Sequence, residues 1–515
     1  MISKAHPPEN PLLDVENLAV RFKSADGQLI EAVRRVSFKL DPEQILAVVG
    51  ESGSGKSVSA LAIMGLLPHR SAQIDPASAI RFKGESLLDL SASAWRMPEP
   101  NLRIHAYPHE LSGGQQQRVM IAMAIACGPE LLIADEPTTA LDVTIQRQIL
   151  ELLLNLKIKR RMSMLFITHD LGLVGEFADE VVVMRHGQIR ESGSAKRIFT
   201  DPQDIYTKAL IHCRPDAGKP YSRLLTIDDF DTPGSSPPPL TGSLSAPSEA
   251  VFGEPVLEVR GLRKVFPRRV GLWRRDDVIA VDDVSFKLFK GQTLGIVGES
   301  GSGKSTTGLC VVRLHQATAG EVLFEGTDLR TMSEAAFMPL KRRLQIVFQN
   351  PYASLNPRFT VGQILTEPMR LHGIGSNALE RESKLKDLLD RVALPASSVN
   401  RYPHEFSGGQ RQRIAIARCL ALEPDVIVCD EAVSALDVSV QAQVLNLFKD
   451  LQRELSLSYL FISHDLGVVR YMADALIVMH QGRVVEQGSA DSIYSNPHHD
   501  YTRELLRSVP RGFQS

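Results

Sequence analysis

The chain has 515 residues, a formal net charge of -2, 43% hydrophobic residues and 23% charged residues. This length accommodates two to four domains of ordinary globular composition, and the near-neutral balance excludes a global basic field for nucleic acid. Five cysteines (Cys127, Cys213, Cys310, Cys419, Cys429) lie far apart, without zinc or disulfide-framework spacing, as in a reducing cytosol.

Residues Met1 to Asn10 are polar and carry no apolar h-region. Residues 44–49 form a short apolar run ending at Gly50, which predicts a buried strand feeding a tight loop, and the residues after Lys56 suit a helix. The run from Val119 to Ala134 is broken by Gly128-Pro129-Glu130, and no run reaches the roughly 20 apolar residues of a membrane span. Within it, Leu131 to Ala134 predicts a strand ending in Asp135-Glu136, and Met164 to Ile167 predicts another ahead of His169. Asp231 to Ala250 is rich in Ser and Pro and reads as a semi-flexible spacer. After it the order repeats: Thr293 to Val297 into a glycine loop, Val426 to Cys429 into Asp430-Glu431, and Tyr459 to Ile462 ahead of His464. The expected architecture is α/β, with domains at 12–229 and 256–508 and a linker at 230–255.

The repeat has a constant offset on each side of one break. Gly50 matches Gly298, an offset of 248, whereas Tyr107 matches Tyr402 and Asp135 matches Asp430, an offset of 295. The first copy is therefore short by 295 − 248 = 47 residues, all lost between its glycine loop and Tyr107. Self-similarity of this kind indicates duplicated domains.

The repeated residues suit phosphate chemistry. Gly50, Gly53 and Gly55, and again Gly298, Gly301 and Gly303, let the backbone of Gly50-Glu51-Ser52-Gly53-Ser54-Gly55-Lys56-Ser57 and its copy bend around a phosphate. Ser52, Ser300 and Thr306 belong to the same loops. Lys56 and Lys304 would reach the β- and γ-phosphates of ATP, and Ser57 and Ser305 would ligate Mg²⁺. Asp135 and Asp430, each ending an apolar strand, would hold the magnesium through its water shell. Glu136 and Glu431 are placed to take a proton from an attacking water. His169 and His464 recur at matching positions, which favours a γ-phosphate contact over a structural histidine.

Leu111-Ser112-Gly113-Gly114-Gln115 and Phe406-Ser407-Gly408-Gly409-Gln410 resemble the signature motif of ABC (ATP-binding cassette) ATPases. Asp142 and Asp437, each in Ala-Leu-Asp, resemble the D-loop of that family. The resemblance implies two tandem P-loop (RecA-like) domains, and it would place Phe22 and Phe266 against adenine, although either could be core. Gln349 to Pro357, Arg401 to Glu405 and the tail Asp500 to Leu506 are similar to the oligopeptide, dipeptide and nickel importer group. The tandem layout resembles the fused ATPases of microcin C and peptide importers. By this resemblance the two domains pair head to tail around two ATPs and drive two integral-membrane permease subunits. A periplasmic or extracellular substrate-binding protein would feed them. The chain would sit peripherally on the cytoplasmic face of the inner membrane. A soluble twin-cassette protein acting on ribosomes is the competing class, although such proteins typically have a charged, helix-forming linker.

The first copy departs from the family. Gln349 stands at the position of the Q-loop glutamine, which contacts Mg²⁺ and the attacking water; the first copy has no equivalent. From Gly84 to Ser112 is 28 residues, whereas from Gly326 to Ser407 is 81, so the first helical subdomain is truncated. Site one is expected to bind ATP and hydrolyse it poorly. Site two is the better hydrolytic candidate, provided residues 88–111 still present Ser112. An in-frame deletion that leaves an impaired ATPase, or a first copy acting only as a scaffold, stays open at this level. The truncation is also expected to expose apolar surface near Ile80 to Trp95.

Overall fold

A computed structural model of the chain describes residues 11–23, 28–68, 71–88, 113–138, 143–213, 215, 223–231, 253–267, 269–270, 274–275 and 277–508. In each copy an antiparallel sheet faces a mostly parallel one. Leu13–Lys23 pairs with Leu29–Leu40 in the first copy, and Pro255–Phe266 with Val278–Phe289 in the second. These long strands alternate buried and exposed residues, as half-buried antiparallel strands do.

The parallel sheet carries the chemistry. In the second copy its order is Leu344–Val347, Val426–Asp430, Ser458–Ile462, Thr293–Val297, Ala475–His480, Arg483–Ser489. All pairs are parallel except the last, a hairpin. The first copy runs Leu131–Asp135, Ser163–Thr168, Ile45–Val49, Glu180–Arg185, Gln188–Ser194. Among the described residues it lacks the edge strand equivalent to Leu344–Val347. Every residue of Ile45–Val49, Thr293–Val297 and Val426–Asp430 is buried, which explains why these strands read as continuous apolar runs without alternation. Leu46, Val48, Ile63 and Met184 pack with Leu13, Val15 and Val20 between the two sheets.

The second copy adds helices Val361–Leu371 and Ala378–Arg391, which share a core with the helix Gly408–Leu420. Their apolar faces bury Ile414 and Ala415 to 0% and 1% exposure. The matching helix of the first copy, Gly113–Ile125, leaves Val119, Met120 and Met123 exposed at 48%, 55% and 57%. The exposure expected near Ile80 to Trp95 is not found at Ile80 and begins among the described residues only at Leu88. Ile80 is fully buried because its strand, Ala79–Phe82, pairs with Leu13–Lys23, and Leu88 alone of the described residues there is an exposed large apolar side chain. Residues 89–95 lie outside the described residues. In the second copy the helices Val361–Leu371 and Ala378–Arg391 pack on Gly408–Leu420, the counterpart of Gly113–Ile125.

The copies are joined by their tails. The N–H of Leu224 donates to Oδ1 of Asn446 at 3.1 Å, and Nδ2 of Asn446 donates to the Leu224 carbonyl at 2.9 Å. The Tyr471 hydroxyl donates to the same Oδ1 at 2.7 Å, and Leu224, Leu225 and Ile227 are buried beside it. In the other direction, Arg147 of the first copy donates to the carbonyl of Arg507 in the second tail at 3.2 Å.

Candidate active sites

Each glycine loop is pressed against backbone that no side chain could share. A Cβ on Gly298 (φ 149°) would lie 2.1 Å from the Met479 carbonyl oxygen, and one on Gly303 (φ 99°) 2.4 Å from that of Ala280. Lys304 follows, buried, with Nζ donating to the carbonyls of Gly298 and Glu299, both at 2.8 Å. Lys56 does the same to Gly50 and Glu51 at 2.7 and 2.9 Å. Burial pushes the Lys56 ammonium below its ordinary value, against the pull of Glu136, Asp437 and Asp135.

The next residue of each loop meets an acid from the parallel sheet. The Ser305 hydroxyl donates to Oδ1 of Asp430 at 2.7 Å, and the Ser57 hydroxyl to Oδ1 of Asp135 at 3.0 Å. Burial raises both aspartates above their ordinary range, opposed by these serine bonds. A hydroxyl and a carboxylate side by side form a hard-oxygen donor set, which fits Mg²⁺.

Glu431 and Glu136 sit one residue on, both in the left-handed region at φ 48° and 46°. The conformation is costly for a residue with a Cβ. It is held by the glutamate N–H, which donates to the Ile462 carbonyl in one copy and that of Ile167 in the other, each at 2.9 Å. Asp-Glu after a strand is legible in the sequence, but this strained turn is not.

The two glutamates then differ. Oε2 of Glu431 accepts from Nε2 of Gln349 at 2.7 Å and lies 3.2 Å from Nδ1 of His464. Burial would raise the Glu431 carboxyl, but the His464 bond and the charges of His464 and Lys304 outweigh it and hold it below its ordinary value. His464 is the reciprocal case: burial disfavours its charge, and Glu431 nevertheless raises it. In the first copy His169 Nδ1 stands 3.4 Å from Oε1 of Glu136, and that hydrogen bond raises the histidine against burial. No glutamine equivalent to Gln349 reaches Glu136 among the described residues. The aspartates after the histidines cap helices: Asp465 accepts from the N–H groups of Gly467 and Val468, and Asp170 from those of Gly172 and Leu173.

Contacts across the copies reach site one. The N–H of Ser52 donates to Oδ1 of Asp437 at 2.7 Å, and the Ser439 hydroxyl donates to the Glu51 carboxylate. Burial, then the proximity of Asp437, raises the Glu51 carboxyl. The second signature is a helix start: Ser407 and Gln410 form a reciprocal capping box before Gly408–Leu420. A Cβ on Gly409 would lie 2.1 Å from Cγ1 of Val440, so a glycine is required there. Ser407, Gly409 and Gln410 line a cleft with Arg223 and Thr226 of the first tail.

Other expected residues are placed as follows. Gly53 and Gly301 take positive φ with open space around them. Ser300 lies in the second loop, and Thr306 in the helix Lys304–Val311 that follows it. Phe22 pairs with Ile30 and packs partly against the core, while Phe266 lies under the Lys264 ammonium at 4.7 Å and beside His315. Ser112 and Asp142 lie outside the described residues, as do the side chains of Gly113, Gly114 and Gln115.

Comparison with known proteins follows the same division. The ABC transporter family profile matches residues 33–99, 92–139 and 281–434, so its match to the first copy is split where the 47 residues are missing. The oligopeptide/dipeptide transporter C-terminal region matches twice, at 191–233 and 485–513. The glutathione import ATP-binding protein GsiA of Salmonella typhimurium (strain LT2) is 44% identical over 97% of this chain and 89% of its own length. GsiA of Escherichia coli (strain K12) is likewise 44% identical over 97% and 89%. Among solved structures, the dimeric cassette MJ0796 bound to ADP and Pi is 27% identical, covers 45% of this chain and 98% of its own, and has a TM-score of 0.42. Import proteins of this kind displace the ribosome-acting alternative.

Proposed function

The chain belongs to the ABC transporter ATP-binding proteins, with an oligopeptide/dipeptide transporter C-terminal region in each copy, and on that premise we propose that this importer ATPase hydrolyses ATP chiefly at its second site to drive uptake of glutathione or short peptides. The observation that carries the assignment of sites is the Glu431 carboxylate, held by Gln349 and His464, where the sequence of the first copy has no counterpart of Gln349.

The loop Gly298 to Ser305 receives the phosphates on backbone N–H groups, and Lys304 exchanges its two carbonyls for phosphate oxygens. Ser305 and Asp430 would hold Mg²⁺, which neutralises phosphate charge when bound. Glu431 stays ionised because its carboxyl is held low, so it accepts the proton of the attacking water at neutral pH. Gln349 fixes the orientation of that carboxylate. Site one keeps Lys56, Ser57, Asp135, Glu136 and His169 and receives Asp437 from the second copy. It binds ATP as a structural clamp and turns it over slowly.

No helix among the described residues is long and apolar enough to cross a membrane. We assign the membrane path to two permease subunits, the delivery of cargo to an external binding protein, and the place of this chain to the cytoplasmic face. The test is ATP-driven uptake into proteoliposomes holding the chain and its permease, with the binding protein supplied and glutathione, a dipeptide and Ni²⁺ offered separately. Uptake of glutathione or dipeptide is expected. Uptake of Ni²⁺ alone would overturn the cargo assignment.

A further inference from the structure

The tail of each copy carries a short helix, Ile205–His212 or Asp500–Arg507, whose tyrosine touches the glycine loop. The N–H of Glu299 donates to the Tyr501 hydroxyl at 3.0 Å, and the carbonyl of the same Glu299 accepts from Nζ of Lys304 at 2.8 Å. In the first copy the N–H of Glu51 donates to the Tyr206 hydroxyl at 3.3 Å, and its carbonyl accepts from Lys56 at 2.9 Å. One loop residue is thus gripped from outside by a tail tyrosine and from inside by the phosphate-reaching lysine, in both copies.

The tyrosines are themselves fixed. The Arg185 guanidinium lies over the Tyr206 ring at 4.7 Å, and His480, at the matching position, packs on Tyr501 at 4.1 Å. Each helix start is tied to the last strand of its sheet. Glu191 accepts from the N–H groups of Gln203 and Asp204 at 2.9 and 3.0 Å, and Glu486 from those of His498 and His499 at 2.8 and 3.1 Å. Asp204 and His499 then cap the helices by accepting from the N–H groups of Tyr206 and Tyr501. Strand carboxylate, helix start, tyrosine, loop backbone and lysine form one hydrogen-bonded series. Both strand carboxylates, both helix starts and both tyrosines fall inside the segments matched by the oligopeptide/dipeptide C-terminal region.

We propose that Tyr206 and Tyr501 are positioning residues through which the tail sets the shape of its own phosphate loop, and with it the ATP affinity of that site. The bond common to both copies is from the loop backbone N–H to the tyrosine hydroxyl, and in the first copy that hydroxyl also bonds the Glu51 carboxylate. Displacement of the tail helix withdraws the acceptor, frees the Glu51 or Glu299 peptide, and loosens the carbonyl pair that aims the lysine. The inference rests on ATP binding at both loops and is independent of import and cargo.

The test uses the full chain, titrated with a fluorescent ATP analogue and Mg²⁺, with unfolding temperature measured alongside. The double variant Tyr206→Phe/Tyr501→Phe keeps both rings and is expected to weaken affinity by about threefold to tenfold, the loss of one hydrogen bond per loop. Tyr494→Phe removes a hydroxyl from the same tail, one that donates to the Leu466 carbonyl at 2.5 Å away from the loop. It is expected to change unfolding temperature and leave affinity alone. Glu486→Gln weakens the grip on the helix start without touching a tyrosine, and is expected to lower affinity by a smaller factor. Unchanged affinity in the double variant, with a stability loss like that of Tyr494→Phe, would show the hydroxyls to be merely structural. If the double variant fails to fold, unchanged affinity in Glu486→Gln overturns the inference. A parent chain that binds the analogue without supporting import removes the proposed function and leaves this test intact.

Discussion

Glu431 and Glu136 occupy the same strained turn after matching strands, yet the Glu431 side chain is 13% exposed and the Glu136 side chain 29%. The difference accompanies an edge strand that the second copy has and the described residues of the first do not. In the second copy the strand Leu344–Val347 leads to Gln349, which donates to Glu431, and the helices beyond it cover Ile414 and Ala415. In the first copy the glutamine is absent and Val119 and Met120 face solvent. The phosphate loop is indifferent to this loss. It is moulded by its own glycines against the carbonyls of Ala32, in the antiparallel sheet, and of Met184, whose strand lies on the far side of Ile45–Val49 from Leu131–Asp135. On the roles proposed above, nucleotide binding and nucleotide hydrolysis fall to separable parts of the fold.

The comparison can be broken most forcefully at the signature helices. Ala415→Lys would bury an unpaired charge among helices and is expected to destabilise the chain by about 3 kcal/mol or more in a urea titration. Met120→Lys, the matching change in the first copy, is expected to stay within about 0.5 kcal/mol and to reduce aggregation, because it breaks an exposed apolar face. Equal losses would mean that the first helix is covered after all.

Gln349→Ala should make site two resemble site one. It removes a bond to an ionised carboxylate, so kcat is expected to fall about tenfold with the KM for ATP little changed. A change in KM alone would place Gln349 in binding instead of in orienting the base.

The histidines give the smallest and most graded contrast. His464 is raised above its ordinary value of 6.5 by Glu431, so its stabilising contribution is fully present below about pH 6.5 and is lost as pH rises through the raised value. The stability gap between the parent chain and His464→Ala should be about 1 kcal/mol near pH 6 and close as the medium becomes alkaline. His169→Ala should show the same sign with a smaller gap, since Glu136 is farther away and wetter. A gap that widens with pH would contradict the ion pair.

Much of this was readable before any coordinates. The buried strands at 45–49, 293–297 and 426–430 announce themselves as apolar runs, because central parallel strands have no solvent face to mark, and 131–135 reads the same way although only Leu132 and Ala134 of it are buried. The two offsets located the missing residues between the glycine loop and Tyr107, with the Q-loop glutamine and most of the helical subdomain. What could not be read is long-range or conformational. Asn446 is an ordinary polar residue of a helix until Leu224, 222 residues earlier, brings its backbone to it. Tyr501 reads as a family tail residue, and its contact with Glu299 depends on the hairpin that turns the chain back over the loop. The exposed apolar face of the helix Gly113–Ile125 was not foreseen, because sequence shows where residues are missing and not which neighbour they covered.

The most direct test is ATP turnover by the full chain with its permease, beside Glu431→Gln and Glu136→Gln. Loss of at least about 100-fold in Glu431→Gln, with Glu136→Gln within about twofold of the parent, is the expected result. Turnover that survives Glu431→Gln and falls with Glu136→Gln would contradict it and place hydrolysis in the copy that lacks the glutamine.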